Sequence, residues 1–388
     1  MAFGLRFSHI TAGLVVVVVG YTSSVVIIFQ AALAAGASQA EVSSWLWALG
    51  IGMGISSIGL SLFYRAPLLT AWSTPGAALL VTSLEGFNLS QAVGVFLFSS
   101  ALIFVCGLTG LFEKLVHRIP SSLASAMLAG VLLQFGLGAF EALQLHWPMV
   151  CVMLGVYLLA RMALTQFAIP LALMAGVAMA IFLGQVDLAG VTWQLTTPVW
   201  VTPTFNWAAL IGVGLPLFVV TMTSQNVPGI AVLKAHGYRV SSSPLMSWTG
   251  LTGMLLAPFG GFAFNLAAIT AALCMGDDAD PRPNHRYKAS VVAGVFYLIL
   301  GLFGASVVAL FTAFPQALVM AIAGLALLKT IESSLVGLLS EDAHREAALL
   351  TFLMTASGIN FLSVSSAFWG LLLGAMTIGL SKFKREGV

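Results

Sequence analysis

The chain is apolar almost from end to end. In a bilayer that leaves its backbone essentially one conformation, the helix, because every N–H and C=O must be satisfied within the protein. Two stretches depart from it. Ala66–Leu84 reads APLLTAWSTPGAALLVTSL, and Ala257–Leu273 reads APFGGFAFNLAAITAAL. Each opens on a segment punctuated by Pro or Gly and passes through aromatic and hydroxyl or amide residues. Each ends in an apolar run about half as long as a membrane crossing requires. A short helix that starts inside a bilayer must satisfy its first four N–H groups there. Matched interruptions in the two halves of a membrane protein point to a transporter's substrate site.

Of the 388 residues, 7% are charged and 60% hydrophobic, where a soluble domain carries roughly 25% charged residues. Most of the surface therefore faces lipid, and the lipid bilayer is the first partner the sequence names. The net charge of +2 is too small for a nucleic-acid footprint. Cys106, Cys151 and Cys274 sit far apart in apolar runs and read as packing residues. The His residues are scattered, with no pair at metal-binding spacing, so neither a metal nor another cofactor is expected. There is no GxSxG and no paired carboxylate, which argues against an enzyme. The run Ile10–Ala35 is too long for a cleaved signal and reads as a retained first helix.

At about 20 residues per crossing, spans fall near 10–35, 42–63, 67–86 (broken), 91–112, 121–140, 148–164 and 167–185. A second series follows near 207–230, 244–256, 258–275 (broken), 288–311, 316–331, 345–361 and 363–381. The expected fold is therefore an all-α polytopic membrane protein with fourteen transmembrane spans. It forms a 7+7 inverted repeat over 1–186 and 205–388, with half-helix spans 3 and 10. With the N-terminus cytoplasmic, all 15 Lys and Arg fall in inside loops, from Arg6 and Arg65 through Lys114, Arg118 and Arg161 to Lys382, Lys384 and Arg385. The outside loops carry Glu41, Glu85, Glu141 and Asp187 and no basic residue. This is the positive-inside pattern with both termini cytoplasmic. Seven spans per half force the second half to run inverted. Gly50, Gly54, Gly294, Gly301 and Gly304 mark close helix contacts and carry no chemistry.

In the first broken span Ser73 or Thr74 can cap a half-helix whose first turn holds Pro75 and which runs to about Ser83. In the second, Pro258, Gly260 and Gly261 break the chain, Asn265 is the expected N-cap, and the helix runs to about Met275. Two half-helix N-termini meeting near the midplane would hold an anion with no Lys or Arg nearby. Trp72, Phe262 and Phe264 beside them suit an aromatic or apolar monocarboxylate. In the eighth span TMTSQNVPG offers Thr221, Thr223, Ser224, Gln225 and Asn226, with a break expected at Pro228. Consecutive Gln and Asn in an apolar run need partners, either another helix or a ligand. The first span adds Tyr21, Ser24 and Gln30. The candidate substrate-binding set is Gln30, Trp72, Ser73, Thr74, Ser224, Gln225, Asn226, Phe264 and Asn265. No Asp or Glu falls in the middle of a span. A coupled proton must then be taken by His285, by a boundary Glu, or by the substrate's own carboxylate. Without coupling, the same residues suit an anion channel or exchanger.

At TAWSTPGAALL (70–80), TMTSQNVPGIA (221–231) and NLAAITAAL (265–273) the chain strongly resembles the benzoate/proton symporter family of bacterial inner membranes. The likeness extends to Thr355–Gly358 and Ser366–Leu371. That family resembles, distantly, the nucleobase and sulfate transporters. The resemblance implies a core domain (10–112 and 207–311) moving against a gate domain (121–185 and 316–381), a homodimer, and import of benzoate or a similar aromatic carboxylate with protons. Nucleobase transporters place Glu where Gln225 and Phe264 stand here, a departure that suits a ligand with no ring N–H.

Overall fold

The computed structural model describes residues 4–111, 120–186, 193–362 and 364–386. Lys114, Arg118 and Asp187 of the charge map and one boundary glutamate, Glu113, lie outside the described residues, as do the side chains of Lys382, Lys384 and Arg385.

The first span is not one rod. It divides at Ser23–Ser24 into α1 (Phe7–Thr22) and α2 (Val25–Ala34). There the Ser23 and Ser24 hydroxyls both donate to the Gly20 carbonyl. Such back-bonding bends helices. A capping box of Ser38 and Glu41 then starts α3 (Gln39–Tyr64), and Asn88 with Gln91 starts α5 (Leu89–Thr109). Between them lies α4 (Thr74–Ser83). The long helix α6 (Ser121–Ala163) bends at His146, two residues before Pro148, so it holds the two spans expected near 121–140 and 148–164. A 3-10 turn leads into α7 (Ala168–Phe182).

The second series begins with α8 (Trp207–Ala235) and α9 (Ser242–Leu256), followed by the short α10 (Ile269–Met275). The eleventh expected span is bent by 64° at Phe303 into α11 (Tyr287–Leu302) and α12 (Gly304–Thr312). It is followed by α13 (Gln316–Leu338), α14 (Arg345–Ala356) and α15 (Ser366–Glu386). The helix α13 runs seven residues beyond the expected end at 331, and α14 ends five short of 361. Among the described residues, seven helices are long and apolar enough to cross a membrane, or eight if the bent pair is one span. Large apolar side chains such as Phe63, Met162 and Phe182 point outward, as lipid contact requires.

Helices pair tightly where glycine allows. A Cβ on Gly50 would stand 2.5 Å from the Gly301 Cα, which is why α3 and α11 can lie backbone to backbone. The other main pairs are α5 with α9, α6 with α13, α6 with α7, and α14 with α15. The linker before α8 is extended but anchored: Thr196, Val201 and Thr204 donate to the carbonyls of Leu302, Pro258 and Ser90.

Candidate substrate site at the broken helices

The two interrupted stretches meet. β1 (Thr70–Ala71) pairs antiparallel with β2 (Asn265–Leu266), setting Thr70 opposite Leu266 and Ala71 opposite Asn265. The Ala267 N–H adds a bond to the Leu69 carbonyl at 2.9 Å. This ladder satisfies backbone groups that no helix could satisfy at that point. It is held from outside by hydroxyls. Thr70 Oγ1 lies 2.6 Å from Ser56 Oγ and 2.9 Å from Ser57 Oγ, and Ser61 Oγ donates to the Leu68 carbonyl at 2.7 Å.

Past β1 the first stretch behaves as its residues dictate. Ser73 caps α4, its hydroxyl accepting the Gly76 N–H at 3.0 Å, and Pro75 sits in the first turn. The Ala77 N–H already bonds the Ser73 carbonyl. With Gly76 capped and Pro75 lacking an N–H, Thr74 supplies the donor of the first turn that has no intrahelical partner.

The second stretch differs from expectation. Asn265 does not cap α10. It lies in β2, and the half-helix starts four residues later at Ile269, with Ala268 as a cap that makes no side-chain bond. Pairing with β1 holds Asn265 extended, so the helix cannot begin until the ladder ends. At seven residues α10 contributes little dipole, and the positive end that matters belongs to α4. The approach to β2 turns at Gly260, whose φ of 92 suits glycine and whose missing Cβ makes room for the Trp45 indole. Ala263 also takes a left-handed φ of 45, an uncommon geometry for a residue with a Cβ. Its carbonyl accepts from Asn265 Nδ2 at 2.9 Å, which leaves Asn265 Oδ1 buried with no partner.

The helix α8 does not break at Pro228. It runs through, widened to π geometry over Leu210–Gly214 and again over Met222–Asn226. Each widened turn ends just before a proline, Pro216 or Pro228, and absorbs the mismatch of a residue with no N–H. Beside Pro216, the Gly212 carbonyl accepts from Ser365 Oγ instead. The second widened turn aims Asn226 at β2, where its Oδ1 accepts the Leu266 N–H at 3.0 Å. Ser224 Oγ donates back to the Val220 carbonyl, while Gln225 next to it is half-buried.

Of the nine candidate residues, the structure gathers Trp72, Ser73, Thr74, Asn226 and Asn265 around the ladder, with Ser224 and Gln225 on the adjoining turn of α8. Trp72 Nε1 donates to Ser24 Oγ at 2.8 Å, and its ring lies 5.2 Å from Tyr21. Tyr21, whose buried hydroxyl has no partner, belongs to this group although it was absent from the candidate set. Its place beside Trp72 depends on the bend at Ser24, for which the Ser23–Ser24 pair is the one local signal. Phe264 is committed elsewhere. Its ring fills a niche at Gly52, Gly253 and Gly261, and strand alternation turns it to the face opposite Asn265. Phe262 packs with Trp45 and Phe96. Gln30 stands one and a half turns beyond Ser24. It lines a separate cavity of about 480 Å³ with Phe29, Phe311, Phe314 and Gln316. His285 and the acidic loop lie outside the site. Asp280, fully buried, meets His9 Nε2 at 3.0 Å and Arg282 Nε at 3.2 Å. Burial works to raise the Asp280 carboxyl. Hydrogen bonds from Arg282 and His9 outweigh it and hold that carboxyl well below the usual range.

Residues 4–380 match the family model described as benzoate membrane transport protein. The chain belongs to the benzoate membrane transport family. Within that family it is 40% identical over 365 residues to the benzoate membrane transport protein of Acinetobacter baylyi, covering 94% of this chain and 93% of that one. It is 47% identical over 374 residues, 96% of each chain, to inner membrane protein YdcO of Escherichia coli (strain K12). The transmembrane domain of a cyanobacterium bicarbonate transporter, BicA, superposes with a TM-score of 0.62 at 14% identity, covering 95% of this chain and 97% of that one. SLC26A9 superposes with a TM-score of 0.63 at 14% identity, covering 97% of this chain and 66% of that one. At such identity these two likenesses establish the fold alone. This member of the benzoate membrane transport family is a multi-pass helical protein with the fold of those transporters.

Proposed function

We propose that the chain is a secondary transporter that brings benzoate or a similar aromatic monocarboxylate across the bacterial inner membrane, with protons, by alternating access. The observation that carries this reading is the capped start of α4. It lies beside a buried two-stranded ladder, next to polar atoms without partners on Tyr21 and Asn265. A helix start in a partly buried setting favours negative charge by up to ~2 kcal/mol. Trp72 and Tyr21 offer an aromatic wall for the ring. The family match supports benzoate as the cargo.

A fourteen-span inverted repeat is the architecture we assign. Exchanging each span with the one seven places later maps the α3–α11 contact onto α9–α5, and α6–α7 onto α14–α15. It also maps the β1–β2 ladder onto itself. On this reading spans 1–4 and 8–11 form the core that carries the substrate, the rest form the gate, and both termini are cytoplasmic.

Uptake of radiolabelled benzoate into proteoliposomes tests the proposal. Accumulation driven by an inward proton gradient is expected, and no uptake under that gradient sinks the coupled mechanism. The lack of any carboxylate among the residues gathered at the ladder favours a rival, an uncoupled anion channel or exchanger. Uptake indifferent to pH would select it.

A further inference from the structure

The residues gathered at the ladder offer the proton no obvious seat. The residues gathered at the ladder are hydroxyls, amides, aromatics and backbone, with neither a carboxylate nor a histidine among Tyr21, Trp72, Ser73, Thr74, Gln225, Asn226 and Asn265. The hydrogen-bond direction at Asn265 bears on this. The Ala263 carbonyl can only accept, so the Asn265 nitrogen must face it, and the oxygen is the end left free. That oxygen is buried and has no partner. It can accept a hydrogen bond and cannot give one.

A carboxylate has the same limitation. The start of α4 offers a negative charge a modest stabilisation, but two acceptors facing each other in a buried site repel, and burying a bare charge with no cation beside it costs more than that. A protonated carboxylic acid fits instead. Its O–H can donate to Asn265 Oδ1 while its C=O accepts from the Thr74 N–H at the start of α4. Both groups border the ladder: Asn265 lies across it from Ala71, three residues before Thr74. Ala71 and Thr74 are only half-buried and keep exposed surface beside the ladder.

We propose that the site binds the neutral acid, so that the coupled proton rides on the substrate's own carboxyl group and Asn265 is the residue that selects the protonated form. The inference rests on the aromatic-carboxylate reading given above. The balance is simple. One proton from water outside joins one carboxylate as it binds, and the same O–H bond breaks on release inside, leaving the anion and one proton in the cytoplasm. No net charge moves.

The test is calorimetric binding of benzoate to the purified full-length protein from pH 5 to pH 8, with benzamide as competitor. Above the acid's own pKa, near the usual carboxyl value of about 4, the neutral fraction falls tenfold per pH unit. The apparent Kd for benzoate should weaken tenfold per unit across the range. Benzamide carries the same donor and acceptor without titrating, and should compete with an affinity that does not change with pH. Asn265→Leu should weaken both at least tenfold. A benzoate Kd that stays flat from pH 5 to 8, or no competition by benzamide, overturns the inference while leaving benzoate transport intact. No benzoate binding at any pH would sink both. Should Asn265→Leu fail to fold, the two measurements on the unmutated protein still decide.

Discussion

At Asn226 the side-chain oxygen takes the Leu266 N–H and keeps β2 in place against β1. A leucine there leaves that N–H bare in apolar surroundings, at a cost of about 1–3 kcal/mol. Asn226→Leu is therefore expected to lower the unfolding temperature in detergent and to weaken benzoate binding together. Binding lost with unchanged stability would mean that Asn226 is a ligand group and not a strut. Asp280 makes a second residue-scale prediction. Its folded pKa lies below that of an unfolded aspartate. Its stabilising contribution is thus complete above about pH 4 and fades as the pH falls toward the folded value. Asp280→Asn should melt below the parent at pH 7, and the gap should close as the pH is lowered past 4. A gap that is constant with pH would show that the carboxylate charge is not what matters there.

Among the elements, the π-widened turn of α8 connects sequence to site most directly. Pro228 forces the widening, and the widening rotates Asn226 toward β2. Pro228→Ala restores the missing N–H and lets 222–226 relax to ordinary helix, which swings Gln225 and Asn226 around the axis. Uptake should fall by more than tenfold while the helical circular dichroism and the unfolding temperature hold or rise. Wild-type uptake in this variant would show that the widened turn is incidental. The half-helices illustrate what local signals can do. Ser73 or Thr74, with Pro75, marks the start of α4, and the structure has Ser73 as the cap, because capping is a matter of three or four neighbours. Asn265 carries the same kind of signal and by sequence is an N-cap. Its backbone was instead taken by a strand nearly two hundred residues away.

For the whole molecule, the cavity between α2 and α13 separates the proposed core from the proposed gate, with Gln30 on one wall and Gln316 on the other. Joining Gln30→Cys to Gln316→Cys with a bis-maleimide, in a Cys151→Ser background, should abolish uptake in proteoliposomes. Either single variant with the same reagent should keep most of it. Full activity after cross-linking would exclude movement of α13 against α2 in the cycle.

The membrane class and the run of apolar helices came from the sequence alone, because a bilayer constrains each segment separately, requiring about twenty apolar residues in helical form. The interruption near Pro75 and the small surfaces around Gly50 and Gly301 were legible for the same reason, since each depends on neighbours along one helix, whereas the meeting of those two surfaces came from the structure. The pairing of Ala71 with Asn265, the meeting of Trp72 with Tyr21 across the bend at Ser24, and the burial of Phe264 among glycines were not. Those depend on which distant backbones approach closely enough to share hydrogen bonds and volume. Only the packed tertiary structure decides that.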